Sequence, residues 1–148
     1  MAFSLTSTAF ASGTPIPRRH TCEGEDLSPP LVWSDLPAGT RSLALLVDDP
    51  DAPGGVFTHW TGWGLDPDAG SLHEGEGTPH EGRNDFGTVG YRGPCPPRGH
   101  GRHRYFFRLY ALDAALDVSA GASRAELDRA LAAHELDLAE LVGTYERR

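Results

Sequence analysis

The sequence predicts an all-β sandwich, and three observations predict it. Turn-forming stretches (PIP, SPP, LPAGT, DPDAPGG, LDPDAG and GPCPPRGHG) punctuate the chain between short apolar runs. The 148 residues include 18 glycines and 12 prolines, a turn-rich composition that suits short strands better than alternating strands and helices. A helical period appears only near the end of the chain.

In chain order, the first clear strand is LVW at 31–33. The next, SLALLVD at 42–48, is so continuously apolar that burial on both faces is expected. A third runs over 57–64 and a fourth over 105–112. In YFFRLYAL, the two-residue period sets Tyr105, Phe107, Leu109 and Ala111 on one face and Phe106, Arg108, Tyr110 and Leu112 on the other; His103 continues the first face. Ser123 and Glu126 form an S-x-x-E capping box, followed by Leu127, Ala130, Leu131 and His134 at helical spacing, which makes His134 a helix-face residue. Leu138, Leu141 and Val142 suggest a second short helix. With no repeat, low-complexity tract or linker, residues 1–148 read as a single domain, long enough to bury roughly 70% of the surface of its unfolded chain.

No apolar run approaches the ~20 residues needed to span a bilayer. The N-terminal MAFSLTSTAFASGTPIPRR has neither a basic leader nor a continuous apolar stretch, so the expectation is a soluble, cytoplasmic protein. All 13 basic residues are arginine, and the formal charge is −8. Residues 80–108 hold six arginines against Glu81 and Asp85, +4 locally and −12 elsewhere. That asymmetry fits a local anion site and speaks against nucleic-acid binding, which needs a continuous basic face. Cys22 and Cys95 are too few for a disulfide framework and lack metal-ligand spacing, so in the cytoplasm both are expected to be reduced, although the sequence leaves a bridge between them open.

The chemistry gathers in three places. DDPDAP at 48–53 follows the buried strand, and parity from Leu43, Leu45 and Val47 carries Asp49 to the inner face, where a carboxylate needs a partner. HW at 59–60 places His59 in the next strand. GYRGPCPPRGHGRHRY at 90–105 is too rich in glycine and proline for regular structure, yet it ends in His103 and Tyr105 at the mouth of a strand. Two imidazoles and a phenol are donors suited to an oxyanion.

These motifs, with SPPLVW at 28–33 and the FFRLYAL strand, resemble the phosphatidylethanolamine-binding protein family in its bacterial and archaeal Raf-kinase-inhibitor-like branch. The resemblance covers roughly residues 3–142, with three motifs in order and at matching spacing. It implies a sandwich of antiparallel sheets with Greek-key connections and short peripheral C-terminal helices. It also implies a small anion pocket at one end, whose ligand-binding positions fall on Asp49, Pro53, His59, Cys95, Pro97, His103 and Tyr105. Such pockets hold phosphate-like or carboxylate anions and, in eukaryotic members, the phosphoethanolamine head group. Three features depart from the pattern: Phe57 and Thr58 precede His59 where many members have an aromatic pair, Cys95 stands where animal members have glycine, and the chain stops soon after LVGTYERR.

The function expected is therefore binding of a small anion or phosphorylated head group, with an unidentified protein partner that it regulates or inhibits, no cofactor and a homodimeric state as the branch suggests. An enzyme is the alternative, with Cys95 as nucleophile near His100 and His103 or with histidine acid–base chemistry, although no motif supplies a complete catalytic set. A metal site from Asp49, Asp51, His59 and His103, or from the His73-Glu74 and His80-Glu81 pairs, is a third and weaker reading.

Overall fold

The computed structural model describes residues 2–148. Strands β1 (Ser4–Thr6), β2 (Leu31–Ser34) and β5 (Ser71–Leu72) form a small sheet in the order β1-β2-β5. The larger sheet contains β3 (Ser42–Asp49), β4 (Phe57–Leu65), β6 (His80–Glu81), β7 (His103–Leu112) and β8 (Glu135–Tyr145), in the order β6-β4-β3-β7-β8. Every pairing between these strands is antiparallel. One α-helix, α1 (Arg124–Ala132), is present among the described residues, and its Ser123–Glu126 capping box is formed as the sequence predicts.

Three layers result. Leu5, Leu31, Trp33 and Leu72 of the small sheet pack against Leu43, Leu45, Val47, Tyr105, Phe107 and Leu109 of the large one. On the opposite face, Ala44, Leu46, Trp63 and Leu112 meet Leu127 and Leu131 of α1, each of these leucines worth roughly 1.5–3 kcal/mol of burial. Central strand β3 is thus covered on both sides, which explains its unbroken apolar run.

Two sequence expectations are corrected. Leu138, Leu141 and Val142 lie not in a helix but in β8, paired with Tyr110, Phe107 and Phe106 of β7. Their spacing fits a helix, but Ala139, Leu141 and Gly143 also alternate inward at period two, and β7 offers a long edge that settles the choice. Glycine is required at 143, where a Cβ would stand 2.4 Å from Cγ1 of Ile16. His134 lies beyond the end of α1, its Nδ1 2.9 Å from Asp113 Oδ1.

Candidate functional site

One end of the large sheet closes around a cavity of about 180 Å³. The end of β3 contributes Asp49, the start of β4 contributes Phe57 and His59, and the start of β7 contributes His103 and Tyr105. Register explains the convergence: Asp49 faces Phe57 across β3–β4, and Asp48 faces Phe106 across β3–β7. Pro53, Cys95 and Pro97 complete the rim, so all seven residues singled out in the sequence line one cavity. Ala52, Phe86 and Pro96 join them.

Within the cavity, the hydrogen bonds fix most of the protons. Asp49 Oδ2 accepts from His103 Nδ1 at 2.7 Å, and Asp49 Oδ1 accepts from the Asp51 amide at 2.7 Å. His59 Nδ1 is 2.7 Å from the Arg92 carbonyl, which can only accept, so this nitrogen carries the proton. Burial holds the His59 pKa below the usual imidazole value, opposed by the Arg92 carbonyl and the Asp49 charge. Neutral His59 therefore leaves Nε2 as a bare acceptor. The Tyr105 hydroxyl is wholly buried and makes no hydrogen bond of full geometry, although Asp49 lies near enough to interact with it; burial, then the Asp49 charge and that weak interaction, push its pKa far above the ordinary phenol range. An unmet buried hydroxyl costs about 1–3 kcal/mol, an expense native folds seldom tolerate without a ligand or water to meet it.

The aromatic wall that the Phe57-Thr58 departure puts in question is built from elsewhere. Phe57 and Phe86 meet edge-on at 4.8 Å between centroids, and His59 lies 5.0 Å from Phe57 and 5.4 Å from Phe86. Phe86 is presented by a turn that Asn84 ties together, its Oδ1 accepting from the Phe86 and Thr88 amides and its Nδ2 donating to the Gly90 carbonyl. A lone aromatic in the NDFGT turn was the only sequence signal for it.

Cys22 and Cys95 form a disulfide, which corrects the expectation of reduced thiols. The reason lies in the backbone. The loop before β7 lies against residues 20–26, with the Cys22 amide donating to the Pro94 carbonyl and the Gly93 amide to Asp26 Oδ1. A Cβ at Gly93 would stand 2.1 Å from the His20 carbonyl oxygen. This close approach brings the two Cα atoms to 5.4 Å. Bridged sulfur has no thiol to ionise, so Cys95 is not available as a nucleophile.

Other candidates lie apart from the cavity. Asp51 is gripped by Arg104 through two side-chain bonds of 2.9 Å, which hold its pKa down to about 2, so it does not join Asp49 and the histidines as a metal ligand. Among the described residues no group of three or more His, Cys, Asp or Glu side chains has a metal-site arrangement. Arg108 pairs with Glu140 on the outer face. Asp48, which the sequence reading passed over, is buried on that same outer face and bound by Arg124, whose Nη1 also donates to Thr58 Oγ1 at 3.1 Å.

The sequence profile of the phosphatidylethanolamine-binding protein family matches residues 6–146. The chain belongs to that family. An uncharacterised-family (UPF0098) protein of Pyrococcus horikoshii is 48% identical over 96% of this chain and 76% of its own length. A Mycobacterium tuberculosis protein named as a lipoprotein, LppC, is 46% identical over 97% of this chain and 70% of its own. Two phosphatidylethanolamine-binding protein homologues of known structure superpose with a TM-score of 0.93: one from Chlamydia trachomatis, 42% identical over 99% of each chain, and YbcL of Escherichia coli, 34% identical over 100% of each. Among the described residues no helix is long and apolar enough to cross a membrane.

Proposed function

We propose that the protein binds a small oxyanion, inorganic phosphate or the phosphate of a phosphorylated head group, in the cavity between Asp49, His59, His103 and Tyr105. The observation that carries this reading is the unspent hydrogen-bonding capacity on the cavity wall: the Tyr105 hydroxyl, without a hydrogen bond of full geometry, and the bare His59 Nε2. Tyr105 donates to one oxygen. His59 takes a proton from solvent, or from the ligand's own P–OH, and becomes the second donor. The volume of about 180 Å³ is roughly six times the ~30 Å³ share of one liquid water, room for a phosphate but not for a lipid. Asp49 orients His103 and is placed to meet an ammonium beside the phosphate.

Magnitudes set the affinity. Three strong hydrogen bonds at about 1.5–3 kcal/mol each, against an association cost of at least ~4 kcal/mol, leave a few kcal/mol, a dissociation constant on the order of millimolar. Tighter binding requires a larger ligand or a protein surface over the mouth, where the partly exposed Phe86 of the cavity wall offers apolar contact. A regulatory role through such a partner remains an analogy with the family. The disulfide favours an oxidising compartment over the cytoplasm expected from the N-terminus, because cytosolic thiols are kept reduced.

The test is calorimetric or NMR titration with inorganic phosphate. Millimolar binding that weakens at least about tenfold in a His59→Ala, His103→Ala double variant is expected from the loss of two charge-assisted bonds; equal binding by both chains would sink the assignment.

A further inference from the structure

His103 is engaged at both ring nitrogens. Nδ1 donates to Asp49, and Nε2 lies 2.6 Å from Nδ1 of His100. One imidazole donates and the other accepts across that contact, so while it stands His103 has no ring nitrogen left for a ligand. The two histidines are unequal in setting. His103 is 2% exposed, whereas His100 is exposed on the loop before β7.

The chain around His100 is built to let it move. It sits between Gly99 and Gly101, both in the left-handed region (φ +73° and +88°), and neither has any atom within 4 Å of the place a Cβ would take. Beyond it opens a groove of about 630 Å³, whose wall includes His100, Arg102, His103 and Arg104. Among the described residues, His103 is the one that lines both this groove and the cavity. Arg102 has no ion-pair or hydrogen-bond partner among the described residues, which leaves its charge free to attract an anion to this point.

We propose that His100 is a latch on the anion site: it holds His103 Nε2 while the site is empty, and an oxyanion displaces it in order to be gripped by His103. This rests on the anion reading of the cavity given above. The exchange selects among ligands. A phosphate or phosphomonoester, with several acceptor oxygens, replaces the bond it breaks and adds others to Tyr105 and His59, whereas a ligand with one acceptor gains nothing by displacing an imidazole. His100 is thus a specificity-determining residue that touches the ligand's binding partner, not the cavity.

The experiment titrates inorganic phosphate into the unaltered chain and into His100→Ala and His100→Gln, with NMR of the histidine ring nitrogens. Removing one competing hydrogen bond should tighten phosphate binding about three- to tenfold in His100→Ala. His100→Gln, which can still bond to Nε2, should fall between. In the unaltered chain, phosphate should shift the ring signals of His100 together with those of His59 and His103. Binding by His100→Ala that is equal or weaker, or phosphate that shifts His59 and His103 and leaves His100 unmoved, overturns the latch and leaves the pocket reading standing. Absence of phosphate binding in all three chains overturns both.

Discussion

Asp48 and Asp49 are neighbours at the end of β3, each 3% exposed, and the pleat turns them to opposite faces of the large sheet. Behind the sheet, Asp48 is bound by Arg124, with Arg108 3.9 Å away and Thr58 sharing the Arg124 guanidinium. Arg124 in turn bonds Asp128 within α1, so the arrangement locks the helix onto the sheet. In front, Asp49 bonds His103 and its own turn, but around it stand the Tyr105 hydroxyl, with no hydrogen bond of full geometry, and His59, whose one side-chain bond is made by Nδ1 and leaves Nε2 free. Two equally buried carboxylates therefore differ in what their surroundings leave unspent. Burial of a charge does not mark a site; unspent polar capacity beside it does.

The front face should be the more costly to break covalently. Replacing both Cys22 and Cys95 with alanine frees a loop spanning 73 residues of separation, and the chain-entropy model gives a loss of about 4 kcal/mol. Guanidinium unfolding reads it, and an unchanged midpoint would contradict the assignment. On the back face, Asp48→Ala takes from the partly exposed Arg124 its buried partner but leaves it Asp128 and Thr58; losing charge-assisted hydrogen bonds of this kind should cost about 2 kcal/mol in the same assay, while phosphate affinity stays within about twofold, since no residue lining the cavity is replaced.

Several of these distinctions could be read from the sequence. The alternation in YFFRLYAL sets Tyr105 inward and Arg108 outward, and parity through Leu43, Leu45 and Val47 sets Asp49 inside. Motif resemblance brought seven residues to one cavity. What could not be read joins residues far apart without a local pattern: Arg124 with Asp48, Cys22 with Cys95, Phe86 with Phe57. β8 failed for another reason, because its leucines satisfy two periods at once and only the waiting edge of β7 decides between them.

A finer test of the contrast is Tyr105→Phe. With only a weak interaction with Asp49 to set against the cost of burying the hydroxyl, its removal should leave stability unchanged or raise it by up to about 3 kcal/mol, while weakening phosphate binding about fivefold. A clear loss of stability would mean that the hydroxyl has an internal partner, and would return it to the Asp48 class.

The smallest effect is in pH. His59 is held neutral by burial, so its folded pKa lies below 6.5. Below 6.5 the unfolded chain binds more protons than the folded one; the stability this group contributes, full above 6.5, is lost as pH falls through the folded value. That same proton serves a bound anion. Sulfate, which does not titrate in this range, should bind more tightly over the window in which stability falls, by at most about tenfold per pH unit for a single proton. His59→Gln should flatten both curves, and sulfate binding independent of pH would remove His59 from the donor set.

The order of the large sheet bears on when the cavity can exist. β3 pairs with β7, so that Ser42 faces Leu112 and Asp48 faces Phe106, and Asp49 reaches His103 only once these distant segments are joined. Such non-local pairings form late and slowly in folding. A partly folded chain with the β3–β4 and β7–β8 pairs formed but no junction between them would possess every residue of the cavity and no cavity. Ligand occupancy then reports on the completed sheet alone: phosphate at ten times its dissociation constant would stabilise the native state by about 1.4 kcal/mol, visible as a thermal shift even where binding heats are faint.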